Sequence, residues 1–341
     1  MSLKIAVIGC GKMAGEYHGP AIAQYAATHP DTQLHACCDV VGRKATGFRD
    51  RFGFAHCETD YLYMLEKHAP DAVCLIVPDH LTCEMACQIM SRGFPVLLEK
   101  PPGRTIEELD RMIAVADSVH SLAQVAFNRH HMPLLAHLQG ILRQQFSPSD
   151  IHHIQYDFVR WNRPDADFSV TAIHGIDAVG YLARSPYRTV QFHYSPLPHL
   201  GATVANVYLD CTFASGATAH LSFCPMAGAV IERATVHAQD HTFFLQLPVW
   251  DGFDSPGRLQ HVHCEQLVTE ILGTDLVPEN APFQTGGFYG EDAAFFDEVR
   301  AGGSGSDSLV AARQSVEIGQ AMRDRAARYA SNVGDQVAVS T

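Results

Sequence analysis

The stretch KIAVIGCGKMA, residues 4–14, decides the fold of this 341-residue chain. A short apolar run over residues 4–9 passes directly into a glycine turn, and a helix is predicted over 14–27. In such a turn the first glycine allows a sharp bend, the second lets the backbone approach a pyrophosphate, and a small third residue lets helix and strand pack closely. The pattern Gly9, Gly11 and Ala14, placed between strand and helix, therefore predicts a dinucleotide site.

Short apolar runs alternate with longer amphipathic segments beyond this stretch. Strands are predicted at 32–40, 71–78, 95–100 and 122–128, and helices at 43–52, 81–92 and 105–119. Thr105 and Glu108 have the spacing of a capping box. This alternation predicts an α/β fold with a doubly wound parallel sheet, a Rossmann domain, over residues 1–124.

The pattern changes after about residue 125. Strand-like runs follow one another at 151–160, 189–194, 205–213, 217–223, 232–238 and 242–247, with helices predicted at 171–183, 291–300 and 309–330. Consecutive strands predict a mostly antiparallel sheet in a second domain over 125–341, with a last helix able to pack back on the first domain. A sheet with one open face predicts a homodimer or homotetramer.

Charge and composition exclude several partners. The chain carries 24 Lys and Arg against 37 Asp and Glu, a formal charge of −13, with no basic run, which argues against nucleic acid and anionic membranes. No apolar run reaches the ~18 residues of a spanning helix, and the N-terminal residues do not resemble a signal peptide. Ten scattered cysteines are expected to be reduced, so we expect a cytoplasmic protein.

An acid at the end of the second strand, Asp39, favours NAD over NADP. A carboxylate there can accept both hydrogen bonds from an adenosine ribose and repels a 2′-phosphate. Arg43 points the other way, since its guanidinium could stack on adenine or meet a phosphate. NADP therefore stays as the second possibility.

Glu99-Lys100-Pro101 ends the predicted strand over 95–100, at the sheet edge where open α/β folds hold their ligands. The chain has five lysines against nineteen arginines, and none follows Lys100. A lysine ammonium at this position is compact and can titrate, whereas an arginine guanidinium is larger and stays charged. A surface pair of Glu99 and Lys100 explains the same residues equally well from the sequence alone.

Taken together, these elements resemble the Gfo/Idh/MocA oxidoreductases, the family of glucose–fructose oxidoreductase and inositol dehydrogenase. The resemblance rests on the glycine turn, Asp39, Pro78, Glu99-Lys100-Pro101 and Asn128-Arg129. It implies an N-terminal Rossmann domain and a C-terminal α/β domain that binds substrate and has an open, mostly antiparallel sheet. It also implies NAD(P)-dependent hydride transfer at a hydroxyl or keto carbon of a sugar, polyol or sugar derivative. The cofactor contacts that it implies are Gly9, Gly11, Lys12, Met13, Ala14, Asp39, Arg43, Val77, Pro78, Glu99, Lys100 and Asn128.

The segment Thr171-Ala-Ile-His174-Gly-Ile-Asp177 is similar to the family's helix that brings a histidine to the site. The resemblance implies Lys100 and His174 as catalytic residues, and Asp177, on the same helix face, as the group that orients His174. Many family members have an aspartate where this chain has Val170. The predicted substrate contacts are Lys100, Arg129, Trp161, Arg163, His174, Asp177 and Tyr289.

Two other functions stay open at this point. The missing carboxylate at Val170 fits a non-catalytic NAD-binding sugar sensor, and elimination or hydrolysis with transient redox fits the same motifs. No metal site is expected, because spacing suggests no fourth ligand for the histidines of the chain that lie close together in sequence. These are His130 with His131, His152 with His153, and His261 with His263.

Overall fold

A computed structural model describes residues 2–331 of the chain, in two compact units. Unit 1 comprises Met1–Met132 and Ala281–Val316, and unit 2 comprises Pro133–Asn280 and Glu317–Thr341. Residues 332–341, which the predicted second domain included, lie outside the described range.

Unit 1 contains the predicted parallel sheet. Its strands are β1 Leu3–Ile8, β2 Thr32–Cys38, β3 His56–Glu58, β4 Ala72–Leu75, β5 Val96–Glu99 and β6 Ala123–Ala126. They are ordered β3-β2-β1-β4-β5-β6, and every neighbouring pair is parallel. The strands β1 and β4 at its centre are almost entirely buried, as expected of a sheet covered on both faces. The doubly wound fold is confirmed.

The first helix follows the glycine turn and is π-helical over Ala14–His18 before it becomes α-helical. The α-helices are α1 Gly19–Thr28, α2 Gly42–Phe52, α3 Tyr61–His68, α4 Asp79–Met90 and α5 Ile106–Val119. The sequence prediction lacked β3 and α3, because β3 has only three residues, His-Cys-Glu, with no apolar periodicity. Asp60 caps α3 by accepting hydrogen bonds from the backbone N–H groups of Leu62 and Tyr63.

The capping box predicted at α5 forms differently. Thr105 Oγ1 accepts the Glu108 N–H at 3.3 Å, as expected, but Glu108 Oε2 accepts the N–H of Arg104 at 2.6 Å. The Glu108 carboxylate therefore bonds to the backbone of the residue before the N-cap and not to the N-cap residue Thr105.

Unit 2 is built on one large sheet. Its elements begin with α6 Pro133–Gln145, β7 Ile151–Val159, α7 Ser169–Ala183, β8 Tyr187–Pro196, β9 Ala205–Phe213, β10 Thr218–Cys224 and β11 Ile231–Ala238. They continue with β12 His241–Leu247, β13 Arg258–His263, β14 Gln266–Leu272 and α8 Gly273–Leu276. The prediction lacked α6, β13, β14 and α8. Strand β14 shows no alternation because nearly all of its side chains are exposed.

The sheet of unit 2 has nine strands and is mostly antiparallel, as predicted. Its order is β14-β13-β12-β11-β7-β10-β9-β8-β15, where β15 is Arg328–Ala330. Within the described part of this nine-stranded sheet, only β7 with β10 is a parallel pair. Gly175 brings α7 close to it, since a Cβ there would lie 3.0 Å from Phe223 and 3.2 Å from Phe158. Side chains alternate between buried and more exposed along β9, which fits one covered face. Oligomerisation through the other face stays a prediction.

The C-terminal part contains α9 Pro282–Thr285, α10 Phe288–Arg300, α11 Asp307–Ala311 and α12 Arg313–Arg323. The single helix predicted over 309–330 is wrong. Ala312 separates α11 from α12, Arg325 adopts a left-handed backbone with φ of 55°, and β15 pairs with β8. The hydrogen bonds offered by the edge of β8 explain why the chain is extended there.

Helix α10 explains why the chain returns to unit 1. Phe295 and Phe296 are completely buried in the core cluster that contains Val7 and Tyr25. The prediction assigned residues 281–316 to the second domain, and the structure instead groups them with the parallel sheet. Within residues 2–331, no helix has both the length and the apolar character needed to cross a membrane.

Candidate active site

The glycine turn has the form that a dinucleotide site requires. Gly9 has φ of +94°, and a Cβ on it would lie 2.0 Å from the carbonyl oxygen of Ile76, so only glycine fits. A Cβ on Gly11 would meet nothing within 4 Å, which leaves its backbone approachable. Ala14 is fully buried in the core. An approachable backbone at a helix start fits a pyrophosphate.

Asp39 lies beside this turn, just after β2. Its Oδ2 accepts the backbone N–H of Cys10 at 3.0 Å, and its Oδ1 accepts that of Val41 at 2.9 Å. The two bonds hold the half-buried carboxylate between the glycine turn and the start of α2. This is the position expected for an acid that binds ribose hydroxyls.

The other predicted cofactor contacts of the first four strands follow the carboxyl ends of β1, β2 and β4. Lys12 and Arg43 are exposed, and Lys12 Nζ lies 3.8 Å from Glu16. Met13 and Val77 are half-buried, and exposed Pro78 is the residue before α4. The structure therefore brings these residues to one edge of the parallel sheet, as the motif predicts.

Glu99 and Lys100 end β5 at the same sheet edge. The Lys100–Pro101 peptide bond is cis, and Glu99 Oε2 accepts the Lys100 backbone N–H at 3.1 Å. Lys100 is half-buried, while Pro101 and Pro102 are buried. The carboxylate of Glu99 therefore helps to hold the backbone that carries the lysine.

The structure adds His18, which the sequence prediction missed. His18 Nε2 lies 3.2 Å from Glu99 Oε1, and its Nδ1 lies 2.9 Å from Oδ1 of Asp292 in α10. The side chains of His18, Glu99 and Asp292 are 1%, 12% and 0% exposed. We call these residues, with the adjacent Glu291, the His18 cluster.

Charges in the His18 cluster favour an imidazolium. Burial alone would lower the pKa of His18, but the carboxylates of Asp292 and Glu99 outweigh it and hold that pKa well above its usual value. For Glu99, burial opposes ionisation, yet the hydrogen bond and charge of His18, together with Lys100, lower its pKa. A charged His18 between two carboxylates therefore stabilises the end of β5.

Glu291 behaves differently within the same cluster. Its side chain is buried, and neither carboxyl oxygen has a hydrogen-bond partner among residues 2–331. Burial raises its pKa well above the usual value, and the neighbouring acids Asp292 and Glu99 add to this effect. Glu291 is therefore held in its neutral form. Phe288, Phe295 and the acids share a helical face, which is the sequence signal that could have revealed buried acids here.

Asn128 and Arg129 follow β6 and are both buried. Asn128 Nδ2 donates to the Gly286 carbonyl at 2.7 Å, and its Oδ1 accepts from Arg129 Nη1 at 2.9 Å. At Gly287, where φ is +84°, a Cβ would lie 2.1 Å from the Asn128 carbonyl oxygen. Asn128 therefore organises the turn before α10, in addition to any contact that it makes with a cofactor.

Tyr289, a predicted substrate contact, lies in the first turn of α10 and is half-buried. It packs against an apolar cluster formed by Tyr17, Ala21 and Phe288. The rings of Tyr17 and Phe288 are stacked with centroids 4.7 Å apart. These packing contacts account for much of the burial of Tyr289.

In unit 2, α7 carries the predicted His174 and Asp177. Asp177 is buried, whereas His174 is half-buried, three residues earlier on the same helix. Val170 lies near the start of this helix and is also half-buried. The predicted helix is confirmed, and a role for its two polar residues stays a prediction.

Trp161 and Arg163 follow β7. Trp161 is 67% exposed, while Arg163 donates to Asp165 and to Thr171 Oγ1, each at 2.9 Å. Arg163 also lines a cavity of about 50 Å³ within unit 2. These contacts give Arg163 a structural task in this loop.

The oxidoreductase family with an NAD-binding Rossmann fold, GFO_IDH_MocA, matches residues 3–127. Residues 3–127 are therefore similar to this family. Its Gfo/Idh/MocA match thus covers the parallel strands, the glycine turn and the Glu99-Lys100-Pro101 element described above.

Two curated relatives are dehydrogenases. D-glucoside 3-dehydrogenase of Escherichia coli (strain K12) is 32% identical over 130 residues, which is 38% of this chain and 35% of the relative. This match therefore spans about a third of that relative's length. The scyllo-inositol 2-dehydrogenase (NAD(+)) of Bacillus subtilis (strain 168) is 21% identical over 299 residues, 83% of this chain and 81% of the relative.

A solved dehydrogenase structure shares the fold over nearly the whole chain. Levoglucosan dehydrogenase in complex with NADH and levoglucosan aligns with a TM-score of 0.79 and 20% identity, over 97% of this chain and all of that one. Such a similarity at low identity supports the architecture of a parallel and an open antiparallel sheet.

Proposed function

We propose that the protein is an NAD-dependent dehydrogenase that oxidises a hydroxyl-bearing carbon of a sugar, polyol or sugar derivative, or reduces the corresponding keto carbon. The observation that carries this proposal is Lys100 at the end of β5, in the same parallel sheet as the glycine turn after β1. Ligands of open α/β sheets bind outside the carboxyl ends of the strands. The dehydrogenase relatives support the same class of reaction.

The residues of unit 1 fit NAD. Gly11 offers approachable backbone to the pyrophosphate, and Asp39 offers two carboxylate oxygens to the adenosine ribose. When bound, NAD supplies the acceptor for the hydride that leaves the substrate carbon.

Lys100 binds the substrate hydroxyl through its ammonium group, which donates up to three hydrogen bonds. As the hydroxyl proton leaves, negative charge grows on this oxygen, and the positive charge of Lys100 stabilises it. The hydrogen bond from the Lys100 backbone N–H to Glu99 Oε2 holds the backbone of the lysine at the sheet edge.

His174 accepts the hydroxyl proton and returns it when the reaction runs toward reduction. Asp177 lies one turn along the same helix and acts as the positioning residue for His174. Because Val170 has no ionisable group, the proton does not pass through that position in this chain.

The proposal is tested by following NADH formation from NAD across polyols, aldoses and sugar acids. With an active substrate, Lys100→Ala and His174→Ala should each reduce kcat by about 10²- to 10⁴-fold while NADH binding stays nearly unchanged. Lys67→Ala, which removes a surface lysine, is the matched control and should keep full activity. NADH binding without turnover of any compound would favour a sensor instead.

Cofactor choice gives a second test. The Asp39 carboxylate should make NADPH bind on the order of tenfold more weakly than NADH, because a 2′-phosphate would meet a like charge. Asp39→Ser should narrow this gap, as measured by fluorescence titration of both cofactors. NADPH binding as tight as NADH in the unaltered protein would mean that Arg43 decides the preference.

A further inference from the structure

Three histidines meet at the edge of the parallel sheet. His35 lies on β2, His56 begins the edge strand β3, and His68 ends α3. The pairing of Ala36 with His56 brings the first two together, and one ring nitrogen or equivalent ligand atom from each residue lies within 4.8 Å of the others. Nothing in the proposed dehydrogenase reaction uses these residues.

The spacing of the three rings suits a shared ion. The ring centroids are 5.4 Å apart for His35 and His56, 5.6 Å for His35 and His68, and 4.4 Å for His56 and His68. Imidazoles bound to one tetrahedral zinc, with Zn–N near 2.0–2.1 Å, have centroids about 5 Å apart. The observed distances lie on either side of that value. The His56 and His68 rings are stacked, 21° from parallel, so these two side chains must rotate for their nitrogens to face one ion.

Glu58 orients the imidazole ring of His68. Nε2 of His68 lies 2.9 Å from Glu58 Oε1, and Lys67 Nζ lies 3.0 Å from the same oxygen. When Nε2–H of His68 donates a hydrogen bond to this carboxylate, the lone pair of the imidazole lies on Nδ1, the arrangement seen behind many metal-bound histidines.

In two other histidine groups within residues 2–331, ring nitrogens that could bind a metal already have other partners. In the His18 cluster, both ring nitrogens of His18 already face carboxylates. In unit 2, His241 Nδ1 and His261 Nε2 lie 2.7 Å apart and share a hydrogen bond with each other. Among these groups, the edge of the sheet is the better site for a cation.

We propose that His35, His56 and His68 form a binding site for a divalent transition-metal cation of the zinc, nickel or copper class. Three nitrogen ligands select these ions over magnesium or calcium, which prefer oxygen. The exposed side of His56 leaves the fourth position to water. An ion there would join β2, the edge strand β3 and α3.

The test uses the full-length chain without a histidine tag, stripped of metal with a chelator and then dialysed. Titration calorimetry with Zn²⁺ should show one ion per chain, and Co²⁺ should give the visible absorption of a four-coordinate nitrogen site. Glu58→Gln should weaken Zn²⁺ binding by about 10- to 100-fold, the usual effect of removing the partner that orients a ligand. His56→Gln and His35→Gln should each weaken it further.

Folding and specificity are controlled separately. His56 is exposed, so His56→Gln should keep the circular dichroism spectrum and, with chelator present, the Tm of the unaltered chain. His263→Gln removes an exposed histidine from the group in unit 2 and should leave stoichiometric binding and the Co²⁺ spectrum unchanged. Absence of Zn²⁺ binding by the unaltered chain, or full binding retained by both His56→Gln and His35→Gln, would overturn the proposal.

Discussion

The His18 cluster and the three-histidine group at the sheet edge place the same side chain in opposite surroundings within unit 1. His18 is buried between the carboxylates of Asp292 and Glu99, whereas His35 is half-buried beside two other imidazoles and near Lys4. Burial favours the neutral ring at both places. Acids reverse that preference for His18, and positive neighbours reinforce it for His35.

The difference teaches that burial alone does not decide what a histidine does. A ring whose two nitrogens face carboxylates is an internal cation that holds structure together. A neutral ring near two others has lone pairs to offer to a metal. The twenty histidines of the chain are therefore not equally suited to bind a metal.

The largest expected effect comes from removing the internal cation. His18→Leu leaves Glu99 and Asp292 buried without their positive partner and should lower the free energy of unfolding by about 3–5 kcal/mol. Urea unfolding followed by circular dichroism measures this. His56→Leu, with chelator present, is the matched exposed substitution and should change stability by less than about 0.5 kcal/mol. Equal effects of the two substitutions would remove the distinction between the clusters.

An intermediate effect is expected from pH, with opposite signs at the two places. The folded pKa of His18 is raised, so its stabilisation is complete below the unfolded pKa of about 6.5 and is lost as pH rises toward the folded value. The folded pKa of His35 is lowered, so its contribution is complete above about 6.5 and is lost as pH falls.

Urea unfolding across pH 5–9, with chelator present, compares the unaltered chain with His18→Gln and His35→Gln. The stability difference caused by His18→Gln should shrink as pH rises, at up to about 1.4 kcal/mol per pH unit. The chain with His35→Gln should lose less stability than the unaltered chain on going from pH 7 to pH 5. Parallel pH curves for all three proteins would contradict the assigned charges.

The smallest expected effect belongs to Glu291. Because burial keeps this side chain neutral, the isosteric Glu291→Gln should change the free energy of unfolding by about 1 kcal/mol or less. Asp292→Asn should cost clearly more, since it removes a charge that faces His18. Urea unfolding at pH 7 separates the two. A loss of 3 kcal/mol or more in Glu291→Gln would mean that Glu291 is ionised in the folded protein.

Much of unit 1 could be predicted because its signals are local. Gly9 and Gly11 lie between a strand and a helix within eleven consecutive residues, and Glu99-Lys100-Pro101 ends a buried strand. Both elements follow rules of backbone geometry that act over a few residues.

The rest depends on contacts between distant segments. His18 and Asp292 are 274 residues apart, so neither a motif nor a spacing links them. His35, His56 and His68 are likewise brought together by strand order and by the end of a helix that the sequence pattern did not reveal. Pairing of β15 with β8 overrode the helical pattern after Arg323 for the same reason.

The return of residues 281–316 to unit 1 has a consequence for biosynthesis. When the ribosome has made the parallel sheet, the helix that supplies Phe295, Phe296 and Asp292 is still missing, and residues 133–280 must be translated first. At bacterial or eukaryotic elongation speeds, this delay is on the order of ten seconds. The nascent sheet meanwhile exposes apolar surface that α10 later covers, so we expect it to be a substrate for chaperones until the last fifth of the chain emerges.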